Sequence, residues 1–311
     1  MEGNNPTQYP ISNTQSPTHP ISNQQSKIAN LLGWNRASYT LMSVFALTIF
    51  LLGYVWWPLA EEYLFYIPWD GEWWQYMDWL LIGIFLFMSL MIMAYANLKQ
   101  DAKIVLVGMI GGLIIESWGT QTNIWHYYTD ERPPLWIIPA WPIASLTIDR
   151  MVRGIQGIQS RYGKQGKYGI QGTPTQSTVS TLSTVFTVST YYLVFLTYFA
   201  LFILYVAPTF DKSFTFIATG LVIFFILTPT DYRIATLTFL AGAGLGYFLE
   251  RWGTTRECWI YYTLETPPLF AVLSHGMAAV AFWRGVLWLE WGMGWVRRGV
   301  FSVFSTAKIS G

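Results

Sequence analysis

One cysteine in 311 residues, Cys258, excludes an internal disulfide and a thiolate metal cluster. Histidine is almost as scarce. His19, His126 and His275 stand far apart in the chain, so paired haem ligands and a three-histidine metal site are not expected. A metal shared by His126, His275 and a glutamate is outweighed by the plainer reading of hydrogen-bonded interfacial histidines, so no metal and no cofactor are expected. No glycine-rich phosphate loop occurs, and no aspartate-rich pair suited to magnesium diphosphate chemistry. Charge is sparse too: 11% of residues, with a net charge of +1. That is too little for a water-soluble surface of this length, and it points away from nucleic acid. Residues 1–36 are polar, rich in Pro, Asn, Gln, Ser and Thr, and lack the apolar core of a signal peptide; a disordered cytoplasmic arm is expected.

What the chain has in abundance is apolar and aromatic side chains, 53% and 18%, with a mean hydropathy of +0.34. This is the composition of a membrane protein. Hydropathy marks eight candidate spans, at 39–57, 80–98, 104–118, 135–148, 187–207, 214–228, 234–249 and 269–282. Basic residues orient them. Lys99, Lys103, Arg150, Arg153, Arg161, Arg233, Arg284 and Arg297 fall on one side, whereas only Arg132, Lys212, Arg251 and Arg256 fall on the other. The positive-inside rule then puts both termini in the cytoplasm of a cell-membrane protein. The expected organisation is the arm at 1–36, a first four-helix unit at 37–150, a basic flexible linker at 151–182, a second four-helix unit at 183–286 and an interfacial segment at 287–311.

The two units share more than hydropathy. The segment ESWGTQTNIWHYYTDERPPL at 116–135 returns as ERWGTTRECWIYYTLETPPL at 250–269, an offset of 134 residues without insertion. A lipid-facing repeat preserves only apolar character, yet this one keeps polar and aromatic identity around a carboxylate. Duplicated membrane proteins place their working sites between halves, so the chemistry is expected where the two segments meet, on the extracytoplasmic side. The predicted fold is therefore an all-α integral membrane protein of about eight transmembrane helices, arranged as two parallel four-helix repeats.

Glu116 and Glu250 each end an apolar span, and an ionisable group placed there is a functional candidate. A carboxyl so placed is a candidate general acid. The competing reading makes each a cap for loop donors, such as the hydroxyls of Thr120 and Thr254, or a partner of Arg132 or Arg251. Around the glutamates, Trp118, Trp125, Tyr127, Tyr128, Trp252, Trp259, Tyr261 and Tyr262 are candidate substrate-binding residues, because aromatic faces stabilise cationic centres. An acid beside such rings is equipped to protonate a polyene and hold the carbocation. His126 corresponds to Ile260 and Trp141 to His275, so the halves are not equivalent, and His275 becomes the proton partner expected for Glu250.

The order Glu116, Gly119, Trp125, Tyr127, Pro134, Trp136, Trp141, and again Glu250, Gly253, Trp259, Tyr261, Pro268, resembles membrane carotenoid-biosynthesis proteins of the bisanhydrobacterioruberin hydratase type. Separately, Pro58 to Tyr66 is similar to the P-x-E-E-x-x-F-F signature of heterodimeric lycopene cyclase domains, with one extra residue before Glu61. The resemblance implies hydratase- or cyclase-like chemistry on a carotenoid or other isoprenoid, with membrane lipid as the surrounding partner. A second class stays open: a non-catalytic subunit that binds lipid, pigment or neighbouring membrane subunits. A transporter ranks third, because Gly108, Gly111, Gly112, Gly242, Gly244 and Gly246 read as close helix packing.

Overall fold

The structure, a computed structural model, describes residues 33–166 and 176–307, with side chains described for 33–157 and 187–295. Most of it is helical. In chain order the helices are α1 (Arg36–Val55), α2 (Trp57–Phe65), α3 (Trp79–Met93), α4 (Leu98–Gln121), α5 (Ala140–Gly166), α6 (Gln176–Val206), α7 (Ser213–Leu227), α8 (Tyr232–Thr255) and α9 (Leu269–Ala307). Two short strands, β1 (Trp125–Tyr127) and β2 (Trp259–Tyr261), follow α4 and α8. Helix starts are written locally: Asn35 caps α1, Asp78 caps α3 through Leu81 N at 3.1 Å, and Asp231 caps α8 through Ile234 N at 2.9 Å.

Four helical segments among the described residues are long and apolar enough to cross a membrane: Arg36–Val55, Leu98–Gln121, Thr187–Thr209 and Leu269–Trp295. Helices α3 and α7 are apolar but only 15 residues each, about 22 Å at 1.5 Å per residue. Leu47, Phe50, Leu193, Leu204 and Phe216 project outward from these helices with more than half of their surface exposed. Lipid accommodates such a surface and water does not.

The offset of the sequence repeat reappears in the element bounds. Helices α3 and α7, α4 and α8, and strands β1 and β2 begin and end 134 residues apart. Small residues bring the helices together in register: Gly108 and Gly112 of α4 face Pro142 and Trp141 of α5, while Gly242 and Gly246 of α8 face Gly276 and His275 of α9. At the other end of the bundle from the strands, Arg150 joins three elements. It donates to Asp101 at 2.7 Å, Asp149 at 2.6 Å and the Ala94 carbonyl at 2.8 Å.

The expected organisation needs adjustment at its joints. Helix α5 continues to Gly166 and α6 begins at Gln176, so the stretch expected to be a flexible linker is helical at both ends, and only 167–175 lies outside the described residues. Arg153 pairs with Asp149 one turn earlier at 3.0 Å, which favours that continuation. The C-terminal segment is continuous with α9 as far as Ala307. The expected arm falls outside the described residues up to position 32, and His19 with it.

Candidate functional site

The site begins with how α4 and α8 stop. Asn123 adopts a left-handed conformation at φ 59°, Ile124 N donates to Gly119 O at 2.9 Å and Asn123 N to Thr120 O at 3.4 Å. This is a Schellman termination. Glu257, at φ 55°, repeats it through Cys258 N to Gly253 O at 2.9 Å and Glu257 N to Thr254 O at 3.3 Å. Each turn folds the chain back over its own helix. The following strand then alternates, sending the first and third residues inward and the second outward.

Glycine makes the close return feasible. A Cβ on Gly119 would sit 1.9 Å from the Trp125 ring, and one on Gly253 would sit 2.0 Å from the Trp259 ring. With each indole seated there, its Nε1 reaches the glutamate one turn earlier: Trp125 to Glu116 Oε2 at 3.1 Å, and Trp259 to Glu250 Oε2 at 2.8 Å. The tyrosine hydroxyls add a second bond, Tyr127 to Glu116 Oε1 and Tyr261 to Glu250 Oε1, both at 2.9 Å. A third partner comes from the next helix. Trp141 Nε1 donates to Glu116 Oε1 at 3.1 Å, while His275 Nε2 lies 2.8 Å from Glu250 Oε1. Burial, and then the charge of the adjoining glutamate, pushes Tyr127 and Tyr261 well above the usual phenol range, so both remain proton donors.

The two hairpins clasp each other. Strands β1 and β2 pair antiparallel with Trp125 opposite Tyr261, His126 opposite Ile260 and Tyr127 opposite Trp259. Since His126 and Ile260 are equivalent positions of the repeat, this register is self-complementary and centres a local two-fold relation on that pair. Flanking bonds obey it: Tyr128 N to Cys258 O at 3.3 Å, and Tyr262 N to Ile124 O at 3.0 Å. The Trp125–Tyr261 and Tyr127–Trp259 ring pairs both sit at 5.9 Å. Both glutamates, 3% exposed each, therefore lie at the same end of the bundle and border one cavity of about 1010 Å³ that opens to the surface past Ile114 and Ile217. Its wall is chiefly apolar, with Trp56, Tyr198, Phe225 and Phe282 among the rings.

Trp118, Trp125, Tyr127, Trp252, Trp259 and Tyr261 line that cavity, as do Glu116, Glu250 and His275. Tyr128 and Tyr262 do not. As fourth residues of the alternation they face away, donating to the carbonyls of Val55 and Tyr205. His126 is exposed on the outward face of β1, so it does not converge with His275 on the glutamates. The partners expected for a structural role are not the ones used, since Thr120 and Thr254 donate to the backbone carbonyls of Glu116 and Glu250 at 2.6 Å, Arg132 binds Asn123 and Arg251 binds the Thr266 carbonyl. Each carboxyl instead ties down the returning strand through its Trp and Tyr side chains. Glu61 and Glu62 are exposed on α2, away from the cavity. Trp141 was not among the sequence candidates; its position opposite His275 in the repeat was the signal for it. Trp118 and Trp252 each cross to the other half, to Thr215 at 3.4 Å and Asp78 at 2.8 Å.

No protein-family model, no curated protein and no solved structure matches this chain. Chemistry at the site therefore rests on its atoms. An indole N–H donates and never accepts, so Glu116, under two indoles, is held as an acceptor at both oxygens. Glu250 is different. His275 and Tyr261 both accept as well as donate, and a proton can pass between Glu250 and the imidazole across 2.8 Å.

Proposed function

We propose that the protein binds an elongated apolar molecule, a carotenoid or other isoprenoid, in the cavity between its halves and performs acid-base chemistry on it at Glu250 and His275. The observation that carries this reading is the pairing of one buried carboxyl with one imidazole on the wall of a large apolar cavity. In the reaction, Glu250 delivers its proton to a carbon–carbon double bond and leaves a carbocation under the aromatic rings. Water then adds and returns a proton to the Glu250–His275 pair, giving hydration; alternatively a second double bond closes on the cation and a proton is lost to the same pair, giving cyclisation. Glu116 orders the first hairpin. The same reading takes the chain as two parallel four-helix repeats, with α3, α5, α7 and α8 completing eight spans and the hairpins on the extracytoplasmic side, where basic residues are fewest.

The test is the product profile of carotenoid-producing cells that express the chain. Glu250→Gln at matched protein level is expected to lower product formation by about 10²- to 10⁴-fold, and His275→Gln to shift its pH dependence. Unchanged products with both variants remove the enzymatic reading.

One observation favours a different class. Trp57, Trp69, Trp73, Trp74 and Trp79 are exposed together along 57–79, a surface suited to lipid headgroups or a neighbouring membrane subunit. A non-catalytic subunit is the function that remains if the variants leave products unchanged while a partner polypeptide co-purifies.

A further inference from the structure

Arg284 of α9 is the repeat counterpart of Arg150 of α5, and the two guanidinium groups start from the same anchor. Arg150 donates to the carbonyl of Ala94, which ends α3; Arg284 donates to the carbonyl of Thr228, the equivalent residue at the end of α7. From there they diverge. Arg150 is compensated by Asp101 and Asp149. The positions that correspond to these acids carry Ala235 and Trp283. Among the described residues Arg284 pairs with no carboxylate, its Nε is buried without a partner, and the second contact with Thr228, Nη2 to Oγ1, is long at 3.4 Å. The Phe225 and Trp288 rings stack on each other at 5.5 Å, and the guanidinium lies beside the pair at 5.8 and 5.3 Å from their centres. Asp231, the acid that follows in the loop, is engaged in capping α8.

A buried cation without a counter-ion is costly, and this one is only 4% exposed. The ring faces offset part of that cost, but Nε stays without a partner and Nη2 has only the long contact to Thr228, and this edge of the planar fork suits an oxyanion. Thr228 is exposed, so the guanidinium lies just beneath the surface at the end of the bundle opposite the hairpins. In a membrane protein the oxyanion concentrated at this depth is a phosphate.

We propose that Arg284, beside the Thr228 carbonyl and against the stacked Phe225 and Trp288 rings, binds the phosphate of an amphiphile, serving as the counter-ion that Asp101 is for Arg150. The site does not depend on the isoprenoid reading and stands if that reading fails. Binding leaves the apolar chains of the amphiphile against α7 and α9.

The test uses the full chain in a phosphate-free glycoside detergent, with the unfolding midpoint followed on adding phosphatidylglycerol, phosphatidylcholine or inorganic phosphate. Either lipid is expected to raise the wild-type midpoint by about 3 °C or more. Arg284→Gln should abolish the rise. Ala235→Asp supplies the missing carboxylate internally and should likewise abolish it, while unfolding no earlier than the lipid-free wild type. A response to lipid alone assigns a headgroup; an equal response to inorganic phosphate assigns a free phosphate. A wild-type midpoint that none of the three additions moves overturns the proposal, and so does a response that survives in Arg284→Gln. Should neither variant fold, native mass spectrometry of the wild type decides: a phospholipid retained through detergent exchange supports the site, and a bare protein removes it.

Discussion

An indole nitrogen offers a proton and nothing else, and this decides which glutamate tolerates glutamine. Glu116 takes donor-only indoles on both oxygens, Trp125 on Oε2 and Trp141 on Oε1. In Glu116→Gln one indole must face the amide NH2, so a buried donor loses its partner, at about 1–3 kcal/mol. Glu250→Gln meets Trp259 on one oxygen, whereas Tyr261 and His275 on the other can each turn to accept from the amide. Thermal unfolding of the purified variants checks this: Glu116→Gln is expected to unfold several degrees earlier and Glu250→Gln close to wild type. The reverse order would mean that the carboxyls are not held as described. Cys258 gives a second prediction at this scale. Burial is the main force pushing its thiol up to about 12, and it is 2% exposed, so the thiolate is scarce at neutral pH. Maleimide should label it slowly in the folded protein at about pH 7 to 9 and rapidly once unfolded. A thiol that binds its proton more tightly when folded favours the fold below its usual pKa, and that contribution falls as the pH climbs towards 12. Fast labelling of the folded chain would contradict the burial.

Each hairpin depends on a glycine that lets an indole rest on a helix. Gly253→Ala puts a methyl group 2.0 Å from the Trp259 ring, so the ring must leave and its bond to Glu250 goes with it. The expected loss is about 1–3 kcal/mol of overpacking, together with a change in tryptophan emission. Gly244→Ala is the control, because nothing lies within 4 Å of a Cβ there and it is exposed on the same helix. It should be neutral or slightly stabilising. An equal effect of the two substitutions would remove the packing explanation. Much of this element was legible in sequence, since the fixed distance from glutamate to glycine to tryptophan to tyrosine is what a helix, a reversing turn and an alternating strand require. The faces were not. Tyr128 and Tyr262 share the motif with their neighbours, and only the strand's alternation sends their hydroxyls to Val55 and Tyr205. His275 was expected beside Glu250, and the contact is there at 2.8 Å; the matching bond from Trp141 to Glu116 was missed because it depends on how α5 packs against α4, which no local spacing encodes. The helical continuation of α5 past residue 151 was masked by Gly, Gln and Ser, whose weak propensities are outweighed by continuity with a packed helix.

At the scale of the whole molecule, the self-complementary register of β1 and β2 puts both hairpins at one end and the arginines Arg150 and Arg284 at the other, so the chain has two chemically distinct ends. Acidic and aromatic residues gather at the hairpin end. Lys99, Arg150, Arg153 and Arg233 gather at the opposite end, and the orientation proposed above from the positive-inside rule, with the hairpins outside the cell, is open to direct test. The near-inert Cys258 makes this orientation measurable without first removing a native thiol. Single cysteines at the exposed positions Asp130 and Glu265, beside the hairpins, and at exposed Lys99, at the other end, provide the reporters. A membrane-impermeant maleimide added to intact cells is expected to modify Asp130→Cys and Glu265→Cys, and to reach Lys99→Cys only after permeabilisation. Equal labelling of Asp130→Cys and Glu265→Cys is itself informative, because these residues come from different halves and share an aqueous face only if the repeats are parallel. Labelling of one with protection of the other would break the parallel arrangement. Labelling of Lys99→Cys in intact cells, with both hairpin positions protected, would keep the repeats parallel but invert the protein in its membrane, moving Glu250 and His275 to the cytoplasmic side.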